Sequence, residues 1–293
     1  MLAGRARDIV TRISGGAPII LAEDAFEATL QPDRTIASIE AMPRRPGLSS
    51  LVGSRGGSGL RLALEATVPE ERRGATPLYL ILDDIAGTSL VSGWAWSQWD
   101  KEWLATARSP LKDFDLEKAF RSRVGICAGF ADGSSGLNPH TDRSGTPAPD
   151  LRNPDDPEGW HRFSEQVGAV GMRRARRIDV RLEGHVLIDA AFQDSATTPL
   201  GGRAVVHEYR LNATADSNTL QLLSVEAEPR VLPFVECPGA TSNLYRLLGT
   251  SLSELRDKVL VELRGTLGCT HLNDALRALA EVPALTEHLR RYT

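Results

Sequence analysis

The chain has 293 residues, 34 Lys and Arg against 38 Asp and Glu, a formal net charge of -4 and 41% hydrophobic residues. That balance argues against a groove for nucleic acid, which needs net positive potential, and the length suggests two domains or one large one. No apolar run reaches the roughly 18–20 residues that cross a bilayer, and the opening MLAGRARDIVTRISGG lacks the apolar core and cleavage site of a secretory signal. A cytoplasmic protein that binds neither membrane nor nucleic acid is therefore expected.

In chain order, Phe26–Leu30 and Thr35–Ile39 alternate apolar and polar residues around Gln31-Pro-Asp-Arg34, which predicts two strands within 25–42. After a Pro-rich break at 43–47, Leu60, Leu62 and Leu64 fit a short helix, and 77–99 reads as a long apolar helix interrupted by Gly87. Asp83 and Asp84 are costly there unless paired, so a structural partner is favoured over catalysis. Trp94, Trp96, Trp99 and Trp103 fall within ten residues. At helical spacing Trp96, Trp99 and Trp103 share a face, either a core stripe or a stacking wall for an aromatic substrate.

Residues 125–135 are small and loop-like but lack the Lys of a phosphate loop. The stretch 132–160 is so rich in Pro, Gly, Ser and Asp that it reads as a loop, with His140, Asp142 and His161 in or beside it as lid residues or solvated ones. The expected organisation is a first unit at 1–130, a connecting loop at 131–172 and a second unit at 173–293.

The second unit opens on Arg173, Arg174, Arg176 and Arg177, read as a solvated edge or as a clamp for a phosphate-bearing handle. Strands are predicted at Ile178–Leu182, His185–Phe192, Val205–Ala215 and Leu220–Glu228. Helices follow at 239–249, 251–264 and 272–281, with Ser251 and Asn273 as caps. Strands first and helices last place the fold in the α+β class.

Short echoes link the halves. Ile39-Glu-Ala-Met-Pro-Arg44 resembles Val225-Glu-Ala-Glu-Pro-Arg230, Leu51-Val-Gly53 resembles Leu247-Leu-Gly249, Gly59-Leu-Arg61 resembles Glu254-Leu-Arg256, and Leu82-Asp-Asp84 resembles Leu272-Asn-Asp274, all at offsets between 186 and 196. Two pseudo-repeated units, each a small antiparallel sheet packed by helices, would explain the order. A cleft between them would then be the place for a ligand.

Chemistry concentrates at Gly268-Cys269-Thr270-His271-Leu272-Asn273-Asp274, where a loop enters a helix. A thiol at a helix start meets unpaired N–H groups, which lower its pKa and suit it to act as nucleophile or metal ligand. His271 follows two residues on as its base. Cys237 and His207 would complete a zinc set with Cys269 and His271, although no pair has C-x2-C spacing. The alternative is buried cysteines, Cys127 among them, and satisfied histidines.

Residues about 175–285, with D-A-x-F-x-D at 189–194, His207, V-E-A-E at 225–228, P-F-x-x-C-P at 233–238, L-L-G at 247–249 and G-C-T-H-L at 268–272, resemble the bacterial domain-of-unknown-function family 2889. That family implies no known activity. The order of strands, mid-chain Cys, helix and late Cys-His pair is more distantly similar to iron–sulfur scaffold proteins of the NifU/IscU type. The resemblance implies that Cys237 and Cys269 match two scaffold cysteines and that His207 falls near a ligand Asp. The first scaffold Cys is replaced by Val205 or Val206, and the His follows the late Cys instead of preceding it, which leaves a mononuclear metal site or a bare Cys-His pair. Three functions follow as expectations: an enzyme acting on a small organic substrate by hydrolysis or acyl transfer, with or without zinc; a metal or iron–sulfur carrier; and a non-catalytic ligand-binding protein.

Overall fold

The computed structural model describes residues 1–12, 16–100, 116–161 and 167–292. The chain forms two compact units. One comprises Met1–Leu90, Arg152–Arg162 and Pro283–Thr293, the other Val91–Leu151 and Phe163–Val282. Both combine antiparallel strands with helices, the α+β arrangement expected.

In the first unit β1 (Leu2–Val10), β2 (Ile19–Leu30) and β3 (Ile36–Met42) pair antiparallel in that order. The alternation around Gln31–Arg34 forms β2 and β3. β1 escapes a pattern search because Gly4, Ala6 and Asp8 alternate with charged or small residues and give no apolar period. α1 (Ser58–Thr67), α2 (Pro69–Arg73) and α3 (Pro77–Ser97) follow. Leu60 and Leu64 on α1 and Leu78, Leu82 and Ile85 on α3 join Phe26, Ile36 and Ile39 in one core, the 3–4 spacing of a buried helical stripe. Asp83, on the same helix, pairs with Arg61 at 3.4 Å, so the carboxylate has a structural partner.

The second unit starts within α3 and includes α4 (Leu116–Arg121). Its sheet is built from β4 (Thr146–Pro147), β5 (Met172–Glu183), β6 (His185–Thr197), β7 (Arg203–Ala215) and β8 (Leu222–Val231). The order is β4-β7-β6-β5, with β8 also on β7. β5 and β6 turn at Gly184, whose φ of 75° suits a residue without Cβ. A 3-10 helix at Cys237–Leu247 (the stretch expected to be α-helical), then α5 (Leu255–Glu262) and α6 (Thr270–Ala278), cover one face. Val186, Ile188, Phe192, Leu211, Leu244, Leu255, Leu272 and Leu276 are among the residues of that core. α7 (Val282–Tyr292) ends the described chain.

β5 begins six residues before the apolar pattern of Ile178 and takes in the arginine run. That run is no solvated edge: the Arg174 and Arg177 side chains are only 2% and 7% exposed, and each is ion-paired. None of the described helices is long and apolar enough to cross a membrane.

Candidate metal centre

The site grows from a row across the second sheet. Arg174 on β5 lies opposite Asp194 on β6, which lies opposite His207 on β7, so all three project from one face. Register breaks immediately beyond: Asp194 pairs with His207 but Ser195 with Val205, leaving Val206 as a bulge. Bulges re-aim side chains and are common beside functional sites. α6 lays Thr270, His271 and Asp274 over this row.

Arg174 grips both carboxylates. Its Nε and Nη2 donate to Asp194 Oδ1 and Oδ2 at 2.8 and 3.0 Å, and its Nη1 donates to Asp274 Oδ2 at 2.8 Å. Arg176 Nη1 adds a bond to the Asp274 carbonyl at 3.2 Å. The His207 and His271 rings stack with centroids 3.4 Å apart and 17° between planes. His207 Nδ1 stands 3.3 Å from Asp194 Oδ2 and His271 Nε2 stands 3.9 Å from the same oxygen. Both ring nitrogens are buried and make no well-formed hydrogen bond. One ligand atom from each of Asp194, His207 and His271 lies within 4.8 Å of the other two. The other nitrogen of His271, Nδ1, is 3.3 Å from Thr270 Oγ1. Donation from Nδ1 to that hydroxyl leaves the Nε2 lone pair directed at Asp194 and available to a metal.

The electrostatics follow from burial and one arginine. Burial raises the Asp194 carboxyl, but the Arg174 charge and its two hydrogen bonds, with the His207 ring close by, outweigh it and hold the group well below the usual carboxylate range. Burial pushes both imidazoles down, His271 further because His207 lies against it, so both rings are neutral at pH 7. An anionic oxygen and two neutral imidazoles are the protonation states that a divalent metal requires.

The cysteines have another setting. Cys127, Cys237 and Cys269 are all buried and neighbour one another around the Tyr209 hydroxyl. The expected depression of the Cys269 pKa is corrected. The N–H groups of Leu272 and His271 do favour its thiolate, but burial dominates and raises the thiol. Burial likewise pushes Cys127 up to about 11. Cys237 packs so closely that a Cβ on Gly129 would stand 2.7 Å from its Sγ. The structure thus brings His207 and His271 together with Asp194, and gathers Cys237 and Cys269 with Cys127. The two ring nitrogens of His271 face Thr270 and Asp194.

Of the tryptophans, Trp96 is half-exposed near the end of α3, and Trp99 lies past that end and donates from Nε1 to the Thr197 carbonyl at 2.9 Å. Trp103 lies outside the described residues. Sequence reasoning placed Asp194 within a motif but gave it no role. Its available signal was position: an acid at an inward site of a strand otherwise lined by Val186, Ile188, Ala190 and Phe192.

Residues 172–285 match the family described as Protein of unknown function (DUF2889). Arg174, Asp194, His207, His271 and Asp274 all fall inside the match. No curated protein and no solved structure matches the chain.

Proposed function

We propose that the second unit binds a divalent transition metal, zinc first, through Asp194, His207 and His271, and that the protein is a metal-dependent enzyme acting on a small organic substrate by hydrolysis or acyl transfer. One observation carries this reading: two stacked imidazoles each turn an unpartnered buried nitrogen to one oxygen of a buried carboxylate. Three protein ligands leave a coordination position for water or substrate, the arrangement of catalytic rather than structural zinc. Such a metal polarises a carbonyl or lowers the pKa of bound water, which suits hydrolysis and acyl transfer. Arg174 and Asp274 then act behind the ligands, fixing the orientation of the carboxylate and the position of α6.

A second reading rests on the Arg174 grip. With both Asp194 oxygens engaged, the network would tie α6 to the sheet and bind no metal. Titration of metal-free protein with Co(II), followed by visible absorption and calorimetry, separates the two. The metal reading expects one equivalent per chain, no sulfur-to-cobalt charge-transfer band, and at least about 100-fold weaker binding in His207→Ala or His271→Ala. Zn(II)-loaded protein is then assayed on ester, thioester and amide substrates. Wild-type protein that binds no Co(II) removes the metal reading; binding without turnover of any acyl substrate removes the enzyme reading alone.

A further inference from the structure

We infer that the two units are copies of one strand-and-helix framework, in which His207 and His271 determine metal binding and Asp8 of the first unit is the counterpart of Asp194 at a position without imidazoles. The functional part of the inference rests on the metal reading above; the framework does not.

The first correspondence is the bulge. In β1 and β2, Asp8 pairs with Ala22 and Ile9 with Ile20, skipping Leu21. In β6 and β7, Asp194 pairs with His207 and Ser195 with Val205, skipping Val206. Each break follows an Asp, at an offset of 186 residues on one strand and 185 on its partner.

The second is the closure behind the sheets. Arg34 and Leu220, offset by 186, both adopt positive φ, 72° and 56°, a conformation uncommon outside glycine. Gly56 N–H donates to the Arg34 carbonyl as Leu252 N–H donates to that of Leu220. Gly53 N–H donates to Ile36 and Ile36 N–H to Ser54; Gly249 N–H donates to Leu222 and Leu222 N–H to Thr250. Gly53 and Gly249 have φ of 86° and 78°. Gly53 follows Ile36 by 17 residues and Gly249 follows Leu222 by 27, so the second unit carries a longer excursion here, and Cys237 lies on it.

The third is the start of the helix that covers the sheet. Thr76 immediately precedes α3, whose first residue is Pro77, as Cys269 immediately precedes α6, whose first residue is Thr270. Leu78, the second residue of α3, therefore stands where His271, the second residue of α6, stands, an offset of 193 that replaces the expected match of Leu82 with Leu272 at 190. The position that holds Asp194, His207 and His271 in the second unit holds Asp8, Ala22 and Leu78 in the first. Among the described residues the first sheet also ends at β1, with no strand in the place of β5 and so no arginine in the place of Arg174. Consistently, Asp8 is pushed up to about 6 by burial and by Asp24, where its counterpart is held down.

The test is to graft the ligands in the full chain. His207→Ala/His271→Ala should bind no Co(II). Adding Ala22→His and Leu78→His to that variant should restore about one equivalent, lost again with Asp8→Asn. A grafted variant with the parent's circular dichroism and no binding above the parent overturns the correspondence. If Leu78→His prevents folding, Ala22→His alone in the same parent decides: it should bind Cu(II) about tenfold more tightly than the parent, with the gain abolished by Asp8→Asn, and no gain overturns it. Failure of the metal reading is distinct, since it appears as a wild-type chain that binds no Co(II) whatever the graft does.

Discussion

The same residue type takes opposite charge behaviour in the two units because of its neighbours. Asp194 meets a guanidinium and stays ionised; Asp8 meets only burial and Asp24, and its pKa rises from 3.8 to about 6. A carboxyl with a raised folded pKa contributes stability that is fully present below the unfolded value and is lost as pH climbs through about 6. Asp8→Asn should therefore remove a downward slope in stability between pH 4 and 6 and be more stable than wild type at pH 7, by roughly 2–3 kcal/mol. Urea melts of both proteins across that range check it, and parallel profiles would contradict it. Cys269 offers a second residue-scale outcome. As a buried neutral thiol outside the ligand set, it should respond to Cys269→Ser with a loss of about 1–3 kcal/mol and unchanged Co(II) affinity. Loss of metal binding in a folded variant would return the thiol to the site.

At the scale of elements, the site depends on where α6 begins. Asp194 and His207 are set by strand register, but His271 arrives from a helix whose start is fixed by Gly268 and by the bond from Ala128 N–H to the Gly268 carbonyl. A Cβ on Gly268 would stand 2.1 Å from the Leu263 carbonyl and 2.9 Å from the Asn273 side chain. Gly268 has an extended backbone, so the demand is for space rather than for a left-handed conformation. Gly268→Ala should displace the first turn of α6, costing about 1–3 kcal/mol and weakening Co(II) binding at least about tenfold. Calorimetric titration beside a urea melt reads both, and unchanged affinity would mean that His271 is placed by the stack on His207 alone.

Across the whole molecule, the metal reading confines the site to one of two units, so its linkage to stability should be local. At a concentration of Zn(II) one hundred times Kd, binding adds about 2.7 kcal/mol to the state that binds. Hydrogen exchange should slow across β5–β7 and α6 while β1–β3 keep their rates, and His271→Ala should abolish the difference. Protection spread evenly over both sheets, or confined to β1–β3, would place the metal elsewhere.

The α+β class and the strands of the second unit from Ile178 onward were legible because local pattern encodes them: period-two alternation and Gly184 in a turn. His207 and His271 were marked by residue type, in one set with Cys237 and Cys269, and their meeting with each other and with Asp194 was not legible. β1 and the opening of β5 were not, since Gly4, Ala6, Asp8, Arg174 and Arg176 occupy positions where the alternation rule looks for apolar side chains. The omission of Asp194 has the same cause, because an acid on an inward strand position becomes intelligible only when its partner is known. Sequence by itself determined which residue types were available near the second unit's last helix. Tertiary structure decided which of them meet: cross-strand register set Arg174, Asp194 and His207 in one row, and burial turned the thiols of Cys237 and Cys269 from expected ligands into neutral neighbours of Tyr209. The physical reason is that pKa and ligand geometry depend on contacts between strands and helices far apart in the chain, and no local period carries that information.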